Sequence, residues 1–572
     1  MRILLAPETT PGHGSGHLRR MLGLLRDLPD SRILVPGPRE HLSDLLSGVS
    51  PSRIVSDVSG AWDRVVVDRF KVDEATARAL TEAGPTIGLD VGGPGRDVLD
   101  YLVDAFPRLD DAPVNVRDAT LLDLPDPPPT GTARSGILVT FGGEDPAGLT
   151  EASARILAEA GLADATTVVR PSMRDLGPLP SGVTLLDPQP SLVPLIRAAD
   201  VVVTAFGLTA YEARSAGARI ATVAPTPYHD RLAALAGFAR AGVRRPNRRR
   251  LLAAVTARRD RSRAGRDRRY AEPSTDGPRA DSYAQLVTRL AVPPRRGCPA
   301  HPGAFGRAVW RNAEKSYFSC PVCGVRYLER FRRDEESYDE AYFMEEYEAQ
   351  YGRTYLEDFD HIHRMGVRRV ENALQAGAAP GGAVLDVGCA YGPFLKAAAE
   401  RGMRPYGVDV APSAVDYVRG ELGYAAACGD IVSLDVEAEL GRARFDLVTL
   451  WYVIEHFDRL DLLLEKLTRL VRPGGVLALS TPHGGGVSAR RSPDLFYRTS
   501  PRDHFTIWDR SSARRLLGEH GFAVRRFVVT GHHPERYPAV SGGALSRFLA
   551  GTHSRIAGWG DTFEIYAVKE QR

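Results

Sequence analysis

Short apolar runs alternate with amphipathic stretches along most of this chain. In the N-terminal half, Arg2–Ala6, Ser31–Val35, Arg64–Asp68 and Thr86–Asp90 read as strands, and Gly16–Leu28 and Asp73–Ala83 as helices. Residues 124–131, Leu-Pro-Asp-Pro-Pro-Pro-Thr-Gly, break the pattern as a linker would. It resumes with strands at Gly136–Phe141, Thr166–Arg170, Val201–Ala205 and Arg219–Ala224, and helices at Leu149–Ala160 and Ala210–Ala216. A second Pro-rich stretch, Val292-Pro-Pro-Arg-Arg-Gly297, precedes a cysteine-bearing segment. Strands are then expected at Ala383–Leu385, Tyr406–Asp409, Ala425–Cys428, Phe445–Leu450, Val476–Ser480, Phe522–Thr530 and Asp561–Lys569, with a helix at Leu462–Leu470 and a turn at Val471–Gly475. Strand–helix alternation of this kind predicts α/β domains built on parallel sheets. The expected divisions are 1–128, 136–292, 297–333, 334–364 and 365–572.

Composition narrows the class only a little. The 572 residues are 43% hydrophobic and 25% charged, as in ordinary globular proteins. The 74 basic and 71 acidic side chains leave a net charge of +3, which gives no general pull toward nucleic acid or membrane. An arginine-rich stretch at 244–269 reads as a solvated helix face, with nucleic-acid contact as the alternative. Five cysteines do not make a disulfide framework. With no apolar run long enough to span a bilayer and no signal-peptide pattern, the expected location is cytoplasmic.

The most informative stretch is Val384-Leu-Asp-Val-Gly-Cys-Ala-Tyr-Gly392. A strand ends in Asp386, a turn carries Gly388 and Gly392, and a helix starts near Phe394. Glycines admit close backbone approach, and a helix N-terminus offers free N–H groups. One βα unit later a second strand ends in Asp409, placed for ribose hydroxyls, and Asp430 follows a third. This order resembles the class I S-adenosylmethionine-dependent methyltransferases. The resemblance implies that Asp386, Gly388 and Gly392 hold the methionine part of the cofactor, Asp409 the ribose, and that Asp430 lies near the adenine. Ala390 stands where the family has glycine, and is expected to be tolerated at negative φ. Cys389 and Cys428 read as small core residues. A base is needed for an alcohol acceptor, and His456 or His504 would supply it, with a structural role as the alternative for each. Glu455 is a weaker candidate. The Asn-Pro-Pro-Tyr or Asp-Pro-Pro-Tyr motif of amine methylators is missing, so oxygen or carbon is the expected acceptor atom.

Cys298-Pro-Ala-His301 and Cys320-Pro-Val-Cys323 are two short ligand pairs at a spacing that suits tetrahedral zinc. Four protein ligands leave no open position, so such a metal would be structural. A redox Cys-x-x-Cys is the alternative. Tyr338, Tyr342, Tyr347, Tyr351 and Tyr355 recur at near-helical spacing, as a packed helix or a roof over the cofactor. Knuckle, Tyr-rich segment and cofactor domain in this order are similar to many sugar- and polyketide-associated methyltransferases.

In the N-terminal half, Gly12-His-Gly-Ser-Gly-His17, Val67-Asp68-Arg-Phe70, Gly142-Gly-Glu-Asp-Pro146 and Phe206-Gly-Leu-Thr-Ala-Tyr-Glu212 lie next to strands or helices. They resemble GT-B nucleotide-sugar enzymes, notably the UDP-sugar hydrolase of pseudaminic acid biosynthesis. The resemblance implies that His17 activates water or an acceptor hydroxyl with Asp68 beside it. Gly207 and Thr209 would meet a diphosphate and Glu212 a ribose. Phe206 and His229-Asp230 depart from the family pattern, which leaves a non-catalytic binding module as an alternative. The expected fold is therefore a GT-B-like pair of Rossmann-type domains, a zinc-ribbon-like module and a methyltransferase domain. The expected function is methyl transfer to a sugar or glycan-related acceptor, fused to a nucleotide-sugar-handling module. An RNA methyltransferase gripping RNA through the knuckle and arginines is the alternative class.

Overall fold

The computed structural model describes the chain apart from residues 11–15, 38–41, 111, 123, 127–132, 144, 173, 190, 258–281, 294–296, 332–351, 534–535, 537–543 and 572. The Gly12–Ser15 turn, Glu144, the distal part of the arginine-rich stretch and Tyr338, Tyr342, Tyr347 and Tyr351 thus lie outside the described residues. Two compact units emerge: Met1–Pro294 with Arg311–Glu314, and Arg295–Trp310 with Lys315–Arg572. Among the described residues, no helix is long and apolar enough to cross a membrane.

The first unit holds two wholly parallel sheets. One runs β3-β2-β1-β4-β5-β6-β7, from β1 (Ile3–Pro7), β2 (Ser31–Leu34), β3 (Ile54–Val55), β4 (Arg64–Asp68), β5 (Thr86–Leu89), β6 (Tyr101–Asp104) and β7 (Val116–Arg117). The other runs β10-β9-β8-β11-β12-β13, from β8 (Ile137–Val139), β9 (Thr166–Val169), β10 (Thr184–Leu186), β11 (Val201–Thr204), β12 (Arg219–Ala224) and β13 (Ala239–Val243). Central strands such as β1, β4 and β11 are almost wholly buried, as both faces of a parallel sheet must be. Five strands were not expected from the pattern: β3, β6, β7, β10 and β13. Two of them, β3 and β7, have only two residues, β10 is an exposed edge, and β13 carries Arg240 and Gly242 beside a register shift in β12. The helix Arg248–Thr256 presents its three leading arginines to solvent, and Arg248 pairs with Glu159 at 2.9 Å.

The second unit begins with a two-stranded knuckle, β14 (Gly297–Cys298) and β15 (His301–Pro302). A small antiparallel sheet follows, β16-β17-β18-β24, from β16 (Arg307–Arg311), β17 (Lys315–Ser319), β18 (Arg326–Arg330) and β24 (Thr506–Ile507). The main sheet is ordered β21-β20-β19-β22-β23-β26-β25. Its parallel part comprises β19 (Ala383–Val387), β20 (Arg404–Asp409), β21 (Ala425–Cys428), β22 (Phe445–Trp451) and β23 (Val471–Pro482). Two strands, β26 (Thr562–Lys569) and β25 (Phe522–Thr530), close it antiparallel. The chain order of strands reverses at β19, which lies between β20 and β22, so their carboxyl ends open a crevice for a ligand. Residues 471–475 differ from expectation. They are not a separate turn but the start of a 12-residue strand, with a register shift opposite Phe445 to Leu447 that absorbs Pro473 and Gly474.

Helix Phe359–Ala376 is tied to β26 by a buried ion pair, Arg369 Nε to Glu564 Oε1 at 2.9 Å, and Tyr566 donates to the other oxygen of Glu564 at 2.6 Å. The same guanidinium lies 4.3 Å from the centre of the Trp451 ring. Removing one member of a buried pair leaves an uncompensated charge. Glu564→Leu is therefore expected to destabilise the second unit by about 3–5 kcal/mol, and Arg369→Met/Glu564→Leu by distinctly less, read by chemical denaturation.

Candidate functional site

At the crevice, the loop after β19 is shaped by positive φ values at Gly388 (71°) and Gly392 (76°). A Cβ on Gly388 would fall 2.5 Å from Val453 Cγ2, and one on Gly392 2.7 Å from Leu422 Cδ1, so neither position has room for a side chain. The condition set for tolerating Ala390, a negative φ, is not met: it sits at +43°, in the left-handed region. Its amide donates to Asp409 Oδ2 at 2.7 Å, and this hydrogen bond offsets the steric cost of the Ala390 methyl. Gly392 also caps the helix Pro393–Glu400, whose first turn receives no side-chain cap and whose N1 is proline. That terminus keeps backbone N–H groups for a ligand.

Asp386 is fully buried and accepts from Thr449 Oγ1 at 2.5 Å. Burial, only partly countered by Thr449 and Arg369, pushes its carboxyl up to about 8. Asp409 accepts from the amides of Ala390 and Ala411, and burial raises it despite those bonds. Asp430 is exposed after β21, where its Oδ1 accepts from Val432 N. Tyr391 stacks edge-on with Tyr417 at 5.3 Å and lies 6.1 Å from Tyr355. Cys389 is buried, but Cys428 is exposed, contrary to its reading as a core residue, because β21 is the edge strand.

Just past β22 the chain forms a second cluster. Tyr452 adopts φ of 60°, and its amide donates to Ser480. Glu455 is fully buried next to Thr481 and His456, and burial pushes its carboxyl up to about 7. His456 Nδ1 lies 2.8 Å from Asp503 Oδ2. The rings of His456 and His504 meet edge to face at 4.8 Å. Burial, reinforced by the charge of His456, drives His504 down to about 3, so it is neutral at physiological pH. For Asp503, the proximity of His456 outweighs burial and holds the carboxyl below its ordinary value. Tyr452 and Asp503 were not singled out in the sequence. Asp503 lies next to His504, but nothing in the sequence brings it to His456, and the strain at Tyr452 has no sequence signal.

Cys298, His301, Cys320 and Cys323 converge, with their ligand atoms all within 4.8 Å of one another. Cys298 Sγ is 3.9 Å from Cys323 Sγ, and Cys320 Sγ 3.8 Å from His301 Nδ1. The edges of a tetrahedral zinc site are roughly 3.5–3.8 Å, so the donor set fits that metal. His301 Nε2 lies 2.9 Å from Glu519 Oε2, a carboxylate that orients the ring.

In the first unit, His17 Nδ1 lies 2.6 Å from Asp68 Oδ1. Arg20, three residues after His17 on the same helix face, grips both oxygens of Asp68 at 2.6 and 2.7 Å and reaches Asp90 at 2.6 Å. Burial alone would lower His17, but Asp68 outweighs it and raises the imidazole. Asp90 is held at φ of 49° by the amides of Ala105 and Phe106. Neither Arg20 nor Asp90 was anticipated, although the i, i+3 spacing of His17 and Arg20 was visible. Gly207 precedes the helix Leu208–Ser215, which carries Thr209 and Glu212, and among the described residues nothing beyond its chain neighbours lies within 4 Å of where a Gly207 Cβ would be. Phe206 packs at 6.0 Å against both Phe106 and Tyr211, which gives that departure a packing role. His229 stacks on Phe70 at 6.2 Å and contacts Thr226 Oγ1 at 2.8 Å.

Residues 359–526 match the model of a methyltransferase domain family. This segment is a class I S-adenosylmethionine-dependent methyltransferase domain. Among curated proteins, the chain is 30% identical over 125 residues to a ubiquinone biosynthesis O-methyltransferase of Coxiella burnetii, covering 21% of this chain and 52% of that protein. The enzyme of the same name from Dechloromonas aromatica is 31% identical over 126 residues, or 22% and 54%. The chain thus spans about half the length of the curated relatives it matches. Similar solved structures include a SAM-dependent methyltransferase from Archaeoglobus fulgidus, at 17% identity and TM-score 0.30, covering 40% of this chain and all of that one. Another is the magnesium protoporphyrin IX methyltransferase of Synechocystis PCC 6803 with bound S-adenosylhomocysteine, at 16% identity and TM-score 0.29, covering 41% and 96%. The methyltransferase domain suits its cofactor on its own geometry: a glycine cradle, an uncapped helix terminus and a buried carboxyl converge at β19. Gly388→Ala, strained in φ and in contact with Val453, is expected to cost roughly 2–4 kcal/mol and to depress the thermal midpoint of the second unit in calorimetry.

Proposed function

We propose that the second unit methylates an oxygen or carbon of a sugar or glycan-related acceptor, and that the first unit is a GT-B-like module that binds or processes a nucleotide sugar. The observation that carries the methylation reading is the His456–Asp503 pair next to buried Glu455, at the carboxyl end of the strand beside the cofactor loop. The cofactor supplies an electrophilic methyl group on a sulfonium. Asp386, Gly388, Gly392 and Asp409 hold it, with Asp430 near the adenine. Asp503 keeps a proton on His456 Nδ1, which leaves Nε2 to take the proton of an acceptor hydroxyl or acidic C–H. Neutral His504 and Glu455 position that imidazole. The four ligands of the knuckle hold a structural zinc, and the nucleotide-sugar reading of the first unit rests on the His17–Asp68–Arg20 cluster with Gly207, Thr209 and Glu212. That two such modules share one chain motivates the sugar acceptor.

Titration of S-adenosylmethionine into the full chain tests the cofactor site, and absence of binding would sink it. Asp386 supplies a sharper outcome. Its folded carboxyl, near 8, is largely protonated at pH 7, and an ammonium group placed beside it favours the carboxylate. Binding at pH 7 is expected to release up to about one proton, seen as a buffer-dependent calorimetric enthalpy, and Asp386→Asn should abolish the release. His456→Ala is expected to lower S-adenosylhomocysteine production with a panel of UDP-sugars by about 10²–10⁴-fold while cofactor affinity stays within a factor of two or so. Elemental analysis should find one equivalent of zinc, lost on Cys320→Ser; a metal-free native chain would overturn the knuckle assignment. His17→Ala separates the readings of the first unit: lost UDP-sugar turnover supports processing, and unchanged turnover leaves a binding module.

A further inference from the structure

A second concavity of the second unit lies between the loop after β23 and the N-terminus of the helix Arg510–Glu519. Arg326, Arg490 and Arg510 line it together with Tyr497, Ser511 and the Gly484-Gly485 backbone. Each guanidinium is held by a backbone carbonyl: Arg326 Nη1 donates to Gly484 O at 2.6 Å, Arg490 Nε to Gly485 O at 2.7 Å, and Arg510 Nη2 to Ala557 O at 3.5 Å. Arg490 also stacks over Trp559 at 5.3 Å. Carbonyls orient these forks without neutralising them. Among the described residues, the ion pairs include none from Arg326, Arg490 or Arg510. The one carboxylate in the lining, Asp509, is engaged elsewhere, since it accepts from the amides of Ser511 and Ser512 as the N-cap of its helix. His483, which also lines the concavity, is buried, and burial lowers its pKa, so it adds no charge at neutral pH. The lining therefore carries three guanidiniums against one carboxylate.

We infer that this concavity binds a phosphoryl group of the methyl acceptor, a phosphate ester or diphosphate. The walls place it beside the methyl-transfer centre. Thr481, next to Glu455, is three residues from Gly484, a reach of at most about 10 Å. The segment that carries His504 continues through β24 and Trp508, which bridges to His483, into Asp509 and Arg510. An acceptor anchored by its phosphoryl group here would extend toward His456. Planar guanidinium forks match phosphoryl oxygens in pairs, which suits such an anion better than a neutral sugar. The inference names the substrate class of the methylation site and rests on that reading.

The test uses the full chain, titrated calorimetrically with inorganic phosphate and with pyrophosphate at low ionic strength, beside S-adenosylmethionine. Arg490→Gln, an exposed position, and Arg490→Gln/Arg510→Gln are expected to weaken pyrophosphate binding about tenfold and a hundredfold, with cofactor affinity unchanged. Ser511→Glu, which adds a charge of the wrong sign without removing an arginine, should weaken it similarly. Pyrophosphate tighter than phosphate assigns a diphosphate, and equal affinities assign a monoester. Pyrophosphate affinity indifferent to all three variants overturns the inference even where the cofactor binds; failure of the cofactor alone to bind overturns the methylation reading and leaves the anion site standing.

Discussion

The second unit depends on one buried contact, the hydrogen bond from Thr449 to Asp386 across β22 and β19. A carboxyl with no solvent must be hydrogen-bonded, neutralised or both. Asp386 is held by Thr449 and biased toward its protonated form, which lets an acid sit inside a parallel sheet without an ion pair. The same placement puts it at the point where the order of strands reverses. Here Gly388 and Gly392 turn the chain away from β19, and Ala390 is tied to Asp409 at the end of β20. The crevice at this switch point is therefore a consequence of how β19 and β20 end, fixed by side chains that also hold the sheet together.

Much of this crevice was legible because it is local. Asp386, the two glycines and Asp409 occur within one βα unit, and glycine and carboxylate at strand ends have a narrow range of structural uses. The strands β19 to β22 were likewise legible from continuous apolar runs. Ala390 was not, because its backbone conformation is set by Asp409, nineteen residues away. Asp503 illustrates the same limit: its role depends on a loop returning to β22, and sequence periodicity carries no information about such returns. The short strands β3 and β7 were missed for a different reason, since two residues cannot show an alternation. In the first unit, His17 and Asp68 were named by resemblance, whereas Arg20 and Asp90 needed the packed helix to reveal that one guanidinium bridges two strand ends.

The two units use opposite electrostatic strategies at their candidate sites. Around His17, two acids share one arginine and one histidine, so the cluster is internally compensated and its imidazole is biased toward the charged form. Around His504, burial and the neighbouring His456 favour the neutral ring, and burial keeps Glu455 partly protonated near neutrality. Asp503 stays ionised beside these groups, so the cluster sets one carboxylate against a ring and an acid that burial biases toward neutrality.

The arginine-lined concavity complements that neutrality. In the proposed arrangement the phosphoryl group would be met a few residues along, by guanidiniums oriented on carbonyls, and the reacting atom by His456. Three continuous segments, 481–490, 503–511 and the strand bearing Arg326, provide both surfaces, so the spacing between phosphoryl group and methylated atom would be set by rigid backbone rather than by mobile side chains.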